Sequence, residues 1–176
     1  DCAMRINTDG VLLGAMAGKK GMDTDPSTIL DIGTGTGVIA MMLAQSFPQA
    51  KADAIEIDEA AAARAGENFK NSPFSTRLKV FCTALERYEP GRQYDLIVSN
   101  PPYFLDSLKN PDKRKEQARH ADRDFFDQLI DRASLWLKPG GSLQLILPPD
   151  VSDFVETLSS SSGLRPTSKT IVYSFK

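Results

Sequence analysis

Thr28-Ile29-Leu30-Asp31-Ile32-Gly33-Thr34-Gly35-Thr36-Gly37-Val38 is a short apolar run that breaks into alternate glycines, after which apolar residues recur at helical spacing through Phe47. The spacing predicts a buried strand, a tight turn and a helix. Outward from it the rhythm repeats: Ala52 to Ile57 predicts a second strand and Glu59 to Phe69 a second helix, with Asp58 placed to cap it. Leu78 to Cys82, Tyr94 to Ser99 and Ser142 to Leu147 are Val-, Ile- and Leu-rich without polar alternation, the pattern of strands buried on both faces. Phe126, Leu129, Ile130, Ala133 and Leu137 predict a helix capped at Asp124 and stopped by Lys138-Pro139-Gly140-Gly141. Thr8 is placed to cap a first helix with an apolar face of Val11, Leu12, Ala15 and Met16, and Ser159 to Ser162 suits a surface loop. Alternating strands and helices predict the α/β class, a Rossmann-like open, mostly parallel sheet with helices on both faces and ligands at the carboxyl ends of the strands. The chain ends at Lys176, just after Lys169 to Ser174, so the closing strands of the sheet's far edge are expected to be cut short.

Composition narrows the class. A chain of 176 residues, 41% hydrophobic and 25% charged, is expected to be one domain spanning 1–176, not a coiled coil or a disordered tail. No apolar stretch reaches the ~20 residues of a membrane span, and Asp1-Cys2-Ala3-Met4-Arg5 lacks a signal segment's apolar run. Cys2 and Cys82, with His120 the single histidine, form neither a disulfide framework nor a metal spacing. The expected home is the cytoplasm, with no metal and no membrane partner. With 21 basic and 23 acidic side chains, any polyanion must meet a local basic patch. Lys109 to Arg123 offers one: Lys109, Lys113, Arg114, Lys115, Arg119 and Arg123 outnumber Asp112, Glu116 and Asp122 by three. Lys113, Arg114 and Arg119 are its candidate phosphate contacts, though a solvated loop carries the same charges.

Gly33, Gly35 and Gly37 let the backbone approach a nucleotide-like ligand while the helix start offers free N–H groups. A dinucleotide fingerprint wants its third glycine where this chain has Val38, and Asp31 would repel a pyrophosphate. Asp31 can instead receive a cationic amino group such as that of S-adenosylmethionine. Glu56, at the end of the second strand, can accept from both ribose hydroxyls.

Asn100-Pro101-Pro102-Tyr103 follows the fourth strand, at the same edge. Consecutive prolines fix φ and remove backbone donors, leaving acceptors around Asn100. An exocyclic amino group or carboxamide is a poor nucleophile because its lone pair is delocalised. The Asn100 side-chain oxygen and the Pro101 carbonyl can hold its two hydrogens and favour the pyramidal nitrogen that attacks a sulfonium methyl. Tyr103 supplies a flat face for a planar group. His120, in a charged segment, is assigned no chemistry.

These residues resemble the class I S-adenosylmethionine-dependent methyltransferases, and Asn100 to Tyr103 resembles the signature of their amino-methylating branch. The opening Asp1 to Gly14 and Gln117-Ala118-Arg119-His120 are similar to the bacterial tRNA(Val) adenine-N6-methyltransferase family. The resemblance implies S-adenosylmethionine as cofactor and, as substrate, the adenosine immediately 3′ of a tRNA anticodon, in a loop whose unpaired bases splay at low cost. It also implies Asp9 near the cofactor's methionine end. Where related enzymes often carry an Asp for the cofactor adenine, this chain has Ala84, which leaves the Leu85 backbone for that contact. Alternatives of the same chemistry are a protein glutamine-N5 methyltransferase and an rRNA or DNA amino methyltransferase. A noncatalytic nucleotide- or RNA-binding module is a third class. A monomer is the default assembly.

Overall fold

The computed structural model describes residues 8–18 and 22–101 and the backbone of 114–173, with side chains from 123 onward in that last stretch. Its central element is β1 (Thr28–Ile32), in the middle of a sheet ordered β3-β2-β1-β4-β5 and parallel throughout. The flanking strands are β2 (Lys51–Glu56), β3 (Leu78–Cys82), β4 (Tyr94–Ser99) and β5 (Leu137–Leu145). After β1 the strand order reverses: β2 lies on one side and β4 on the other, so the connections from β1 and β4 diverge to opposite faces and open a crevice at their carboxyl ends.

On one face α1 (Thr8–Met16), α2 (Val38–Ser46) and α3 (Glu59–Asn71) pack on Ile29, Ala52, Ala54, Leu96 and Val98. On the other, α4 (Arg114–Trp136) and α5 (Pro149–Ser161) cover Leu30, Ile32, Ile55, Tyr94 and Ile97. Burying each such Leu, Ile or Val stabilises by roughly 1.5–3 kcal/mol, so alternating apolar side chains serve both layers. Between the layers Asp53 accepts from Arg92 Nη2 at 2.6 Å and from Tyr94 Oη at 2.9 Å, and the Tyr88 and Tyr94 hydroxyls lie 2.8 Å apart. Burial, reinforced by the Tyr88 hydroxyl and the Asp53 charge, pushes the Tyr94 phenol far above its ordinary range, so it stays a neutral donor.

The expected α/β architecture holds, and Asp58 caps α3 by accepting from Ala61 N at 2.8 Å. Several local expectations change. β3 is an edge strand with Phe81 40% exposed, so its apolar composition does not signal burial on both faces. α4 starts well before Asp124, which therefore lies within the helix and is not its cap. α4 ends at Trp136, so Leu137 is not its last apolar residue but the first of β5, and Lys138 to Gly141, expected to stop the helix, instead bulge within that strand: Leu137 pairs with Tyr94 and Ser142 with Leu96. Thr8 is the first residue of α1, whose buried side is Gly10, Leu13 and Gly14; Val11 and Met16 are exposed. A Cβ at Gly14 would lie 2.7 Å from Met42 Sδ, so close approach to α2 selects the glycine face over the more apolar one. Ser159 to Ser161 complete α5, their hydroxyls donating to carbonyls three or four residues back, a local bond that keeps serine in a helical last turn. Residues 162–173 follow without a strand.

Candidate functional site at the carboxyl edge of the sheet

Strand register brings the candidates together. Ile32 pairs with Ile55 and with Ser99, and Glu56 with Cys82, so the glycine loop emerges between the end of β2 and the start of Asn100-Pro101. Gly33, Gly35 and Gly37 all have positive φ, at 69°, 57° and 86°. At Gly37 an added Cβ would also run into the Phe69 ring of α3, which makes this glycine a packing requirement. At Gly33 and Gly35 it would meet nothing within 4 Å. Those two leave a backbone surface open to a ligand.

Asp31 is fully buried beneath the loop. Its Oδ2 accepts from the Thr34 hydroxyl and, at 3.2 Å, from Ala40 N. The residue at the N-cap of α2 is Gly37, which has no side chain, so Asp31 supplies the missing acceptor from the preceding strand. Its other oxygen, Oδ1, is buried without a hydrogen-bond partner. Burial pushes the Asp31 carboxyl up to about 6; the bonds from Thr34 and Ala40 pull down, and the nearby Glu56 charge pushes up.

Glu56 is buried and clamps the loop. Its Oε2 accepts from Gly35 N at 2.8 Å and its Oε1 from Asp58 N at 3.0 Å, leaving lone pairs on both oxygens. From the other side Asn68 Nδ2 of α3 donates to Thr36 O at 2.9 Å. Neither Thr34 nor Asn68 stands out in the sequence, because each acts on a residue it meets only after folding. Ile57 is 73% exposed. Its large apolar side chain is uncovered directly after Glu56, where β2 ends one residue earlier than the sequence predicts.

Asn100 is partly exposed and Pro101 buried at the end of β4, next to the glycine loop. Leu85 begins a 3-10 turn (Leu85–Arg87) beyond β3, its side chain in the core, and Asp9 lies half-buried in the first turn of α1. Tyr103 and Lys113 lie outside the described residues, as does the opening segment 1–7. Arg114 and Arg119 fall on the backbone of α4 with their side chains outside the described set. Among the described residues no group of three His, Cys, Asp or Glu could hold a metal, and no helix is long and apolar enough to cross a membrane.

An open glycine backbone, a carboxylate oxygen without a partner below it and a second carboxylate beside it gather at one edge of the sheet. Residues 11–153 match the family described as Methyltransferase small domain. The tRNA1(Val) (adenine(37)-N6)-methyltransferase of Pedobacter heparinus is 56% identical over 163 residues, spanning 93% of this chain and 68% of that protein. The chain belongs to this methyltransferase family. A second relative, from Bacteroides thetaiotaomicron and bearing the same name, is 46% identical over 94% of this chain and 69% of its own length. Solved methyltransferases share the fold at lower identity. An O-methyltransferase family protein from Burkholderia thailandensis superimposes with TM-score 0.65 at 16% identity, covering 92% of this chain and 53% of that one. The N-methyltransferase NodS from Bradyrhizobium japonicum does so with TM-score 0.59 at 20% identity, covering 86% and 79%.

Proposed function

We propose that this methyltransferase transfers a methyl group from S-adenosylmethionine to the exocyclic N6 of an adenosine in tRNA, at position 37 of tRNA1(Val), acting as a monomer in the cytoplasm. The observation that carries the proposal is the register that sets the glycine loop and Asn100-Pro101 side by side at the crevice, in a chain 56% identical to a protein of that name. The relatives' names favour an RNA adenine over a protein glutamine amide as acceptor.

The residues fit the cofactor. Asp31 Oδ1 would receive the amino group, Gly33 and Gly35 would line its path, and Glu56 would take the ribose hydroxyls. Ile57 offers an apolar face, and the Leu85 backbone and Asp9 complete the candidate set. When bound, the cofactor supplies an electrophilic methyl on sulfonium. Asn100 and Pro101 do the positioning: their oxygens accept the two N6 hydrogens, which draws the nitrogen lone pair out of conjugation with the ring. The proton released after transfer passes to solvent, so no strong base is needed. Tyr103 stacks on the extruded base, worth roughly 1–3 kcal/mol. Lys113, Arg114 and Arg119 meet backbone phosphates.

Incubation with labelled S-adenosylmethionine and unmodified tRNA1(Val), followed by nucleoside mass spectrometry, should give N6-methyladenosine in the anticodon loop; its absence would refute the assignment. Glu56→Gln keeps an oxygen for Gly35 N but removes the charge. It should weaken S-adenosylhomocysteine binding by about tenfold, ~1.4 kcal/mol, in calorimetry. An unchanged dissociation constant would remove Glu56 from the ribose site.

A further inference from the structure

The two loops proposed to hold the methyl donor and the methyl acceptor leave neighbouring strands at the same rung. Ile32, the last residue of β1, pairs with Ser99, the last residue of β4. Beyond that rung β1 turns toward β2: Gly33 N and Thr34 N both donate to Ile55 O, at 2.9 and 3.1 Å. The backbone ladder between β1 and β4 ends there, where the sheet opens. At this last rung Ser99 Oγ donates to Ile32 O at 2.8 Å. Ser99 has no exposed surface, so water does not compete for the bond. Its own carbonyl accepts from Ile146 N at 3.4 Å, which ties the same residue to the chain leaving β5. One residue further along each strand stand Gly33 and Asn100.

We infer that Ser99 is a positioning residue for methyl transfer: its hydroxyl pins the start of the Asn100-Pro101 loop to the start of the glycine loop and so sets the separation between acceptor nitrogen and donor methyl. The inference rests on the function proposed above. A transfer between two separately bound partners depends steeply on that separation, and a misplacement of about 1 Å can cost on the order of 10²-fold in rate. Binding of either partner alone does not depend on it. A merely structural hydroxyl would affect folding without separating turnover from binding.

The test is steady-state tRNA methylation with Ser99→Ala and with Ser99→Cys, which keeps the branching but replaces the hydroxyl with a larger and weaker donor, alongside calorimetry with S-adenosylhomocysteine. For Ser99→Ala the expected result is a kcat about tenfold lower, with KM for tRNA and the S-adenosylhomocysteine dissociation constant within about twofold of wild type. Ser99→Cys should fall about threefold in kcat with the same unchanged affinities, and carries the test alone if Ser99→Ala does not fold. An unchanged kcat in the folded variants, or a cofactor affinity that falls in step with kcat, would overturn the positioning role. A wild-type protein that forms no N6-methyladenosine would overturn the underlying function before any variant is compared.

Discussion

Asn100→Ala is expected to lower turnover in tRNA methylation by 10²-fold or more while leaving the affinity for S-adenosylhomocysteine within about twofold. The magnitude follows from losing one preorganised polar contact made to the reacting group in the transition state. Asn100 stands on the β4 side of the crevice, whereas the carboxylates proposed for the cofactor, Asp31 and Glu56, stand on β1 and β2. The two sets of contacts are therefore separable by mutation. Alanine before Pro101 takes up the same extended backbone that any residue preceding proline prefers, so the loop keeps its course and only the side-chain acceptor is lost. Single-turnover methylation at saturating cofactor isolates that loss. Turnover equal to wild type would mean that another group holds the amino nitrogen.

Asp31→Asn should do two opposite things: weaken the cofactor and stabilise the unliganded protein. An asparagine oxygen can keep the bonds from Thr34 and Ala40 N, but an amide NH₂ at the Oδ1 position faces the cofactor's ammonium with the wrong sign. Losing a charge-assisted bond in a buried site costs about 2–3 kcal/mol, or roughly 30- to 150-fold in the S-adenosylhomocysteine dissociation constant. The stability change has the other sign. Burial raises the Asp31 carboxyl from 3.8 to about 6, so the folded chain accommodates the protonated form below about pH 4 and bears the full penalty of the ionised form once pH rises through 6. Two pK units correspond to about 3 kcal/mol. Asp31→Asn removes that penalty, so the unliganded variant should gain stability toward denaturant at pH 7.5 by up to about this amount, and the gain should vanish near pH 4.

Cofactor affinity carries the same signature. Between pH 7.5 and pH 5 the wild type must give up the Asp31 proton to receive the ammonium, so its affinity should fall by about tenfold; in Asp31→Asn it should be flat. The charged groups that enter are Asp31 itself and Glu56 at its side. A wild-type affinity with no pH dependence would contradict the assignment of the orphaned oxygen to the cofactor, and a variant destabilised at neutral pH would contradict the burial penalty on Asp31.

Local sequence carries much of this protein. The strand-glycine-helix unit is legible because apolar runs of strand length and positive-φ glycines are properties of a few adjacent residues, and Asn100-Pro101-Pro102-Tyr103 stands out for the same reason: proline stiffness and missing donors need no tertiary partner. Boundaries were less legible. Nothing near Asp124 says that α4 already runs from Arg114, because residues 114–122 are mostly charged or polar and carry no apolar helical period. The bulge that admits Lys138 to Gly141 into β5 depends on the β4 rung it skips.

The working parts of the site belong to the other category. Asp31 caps a helix nine residues away, Glu56 clamps Gly35 across 21 positions, and Ser99 reaches Ile32 across 67. Each bond depends on which strands are neighbours and on which rung they pair, and neither is encoded in the residues on either side of the bond. The one-dimensional chain names the chemistry available, a carboxylate under a glycine loop and an acceptor-rich bend. Parallel pairing of β1 with both β2 and β4 then turns one Asp31 oxygen to the Thr34 hydroxyl and the start of α2, leaves the other without a partner, and brings the glycine loop and Asn100-Pro101 to a single rung, because long-range hydrogen bonds form only where packing of the apolar layers has already set the register.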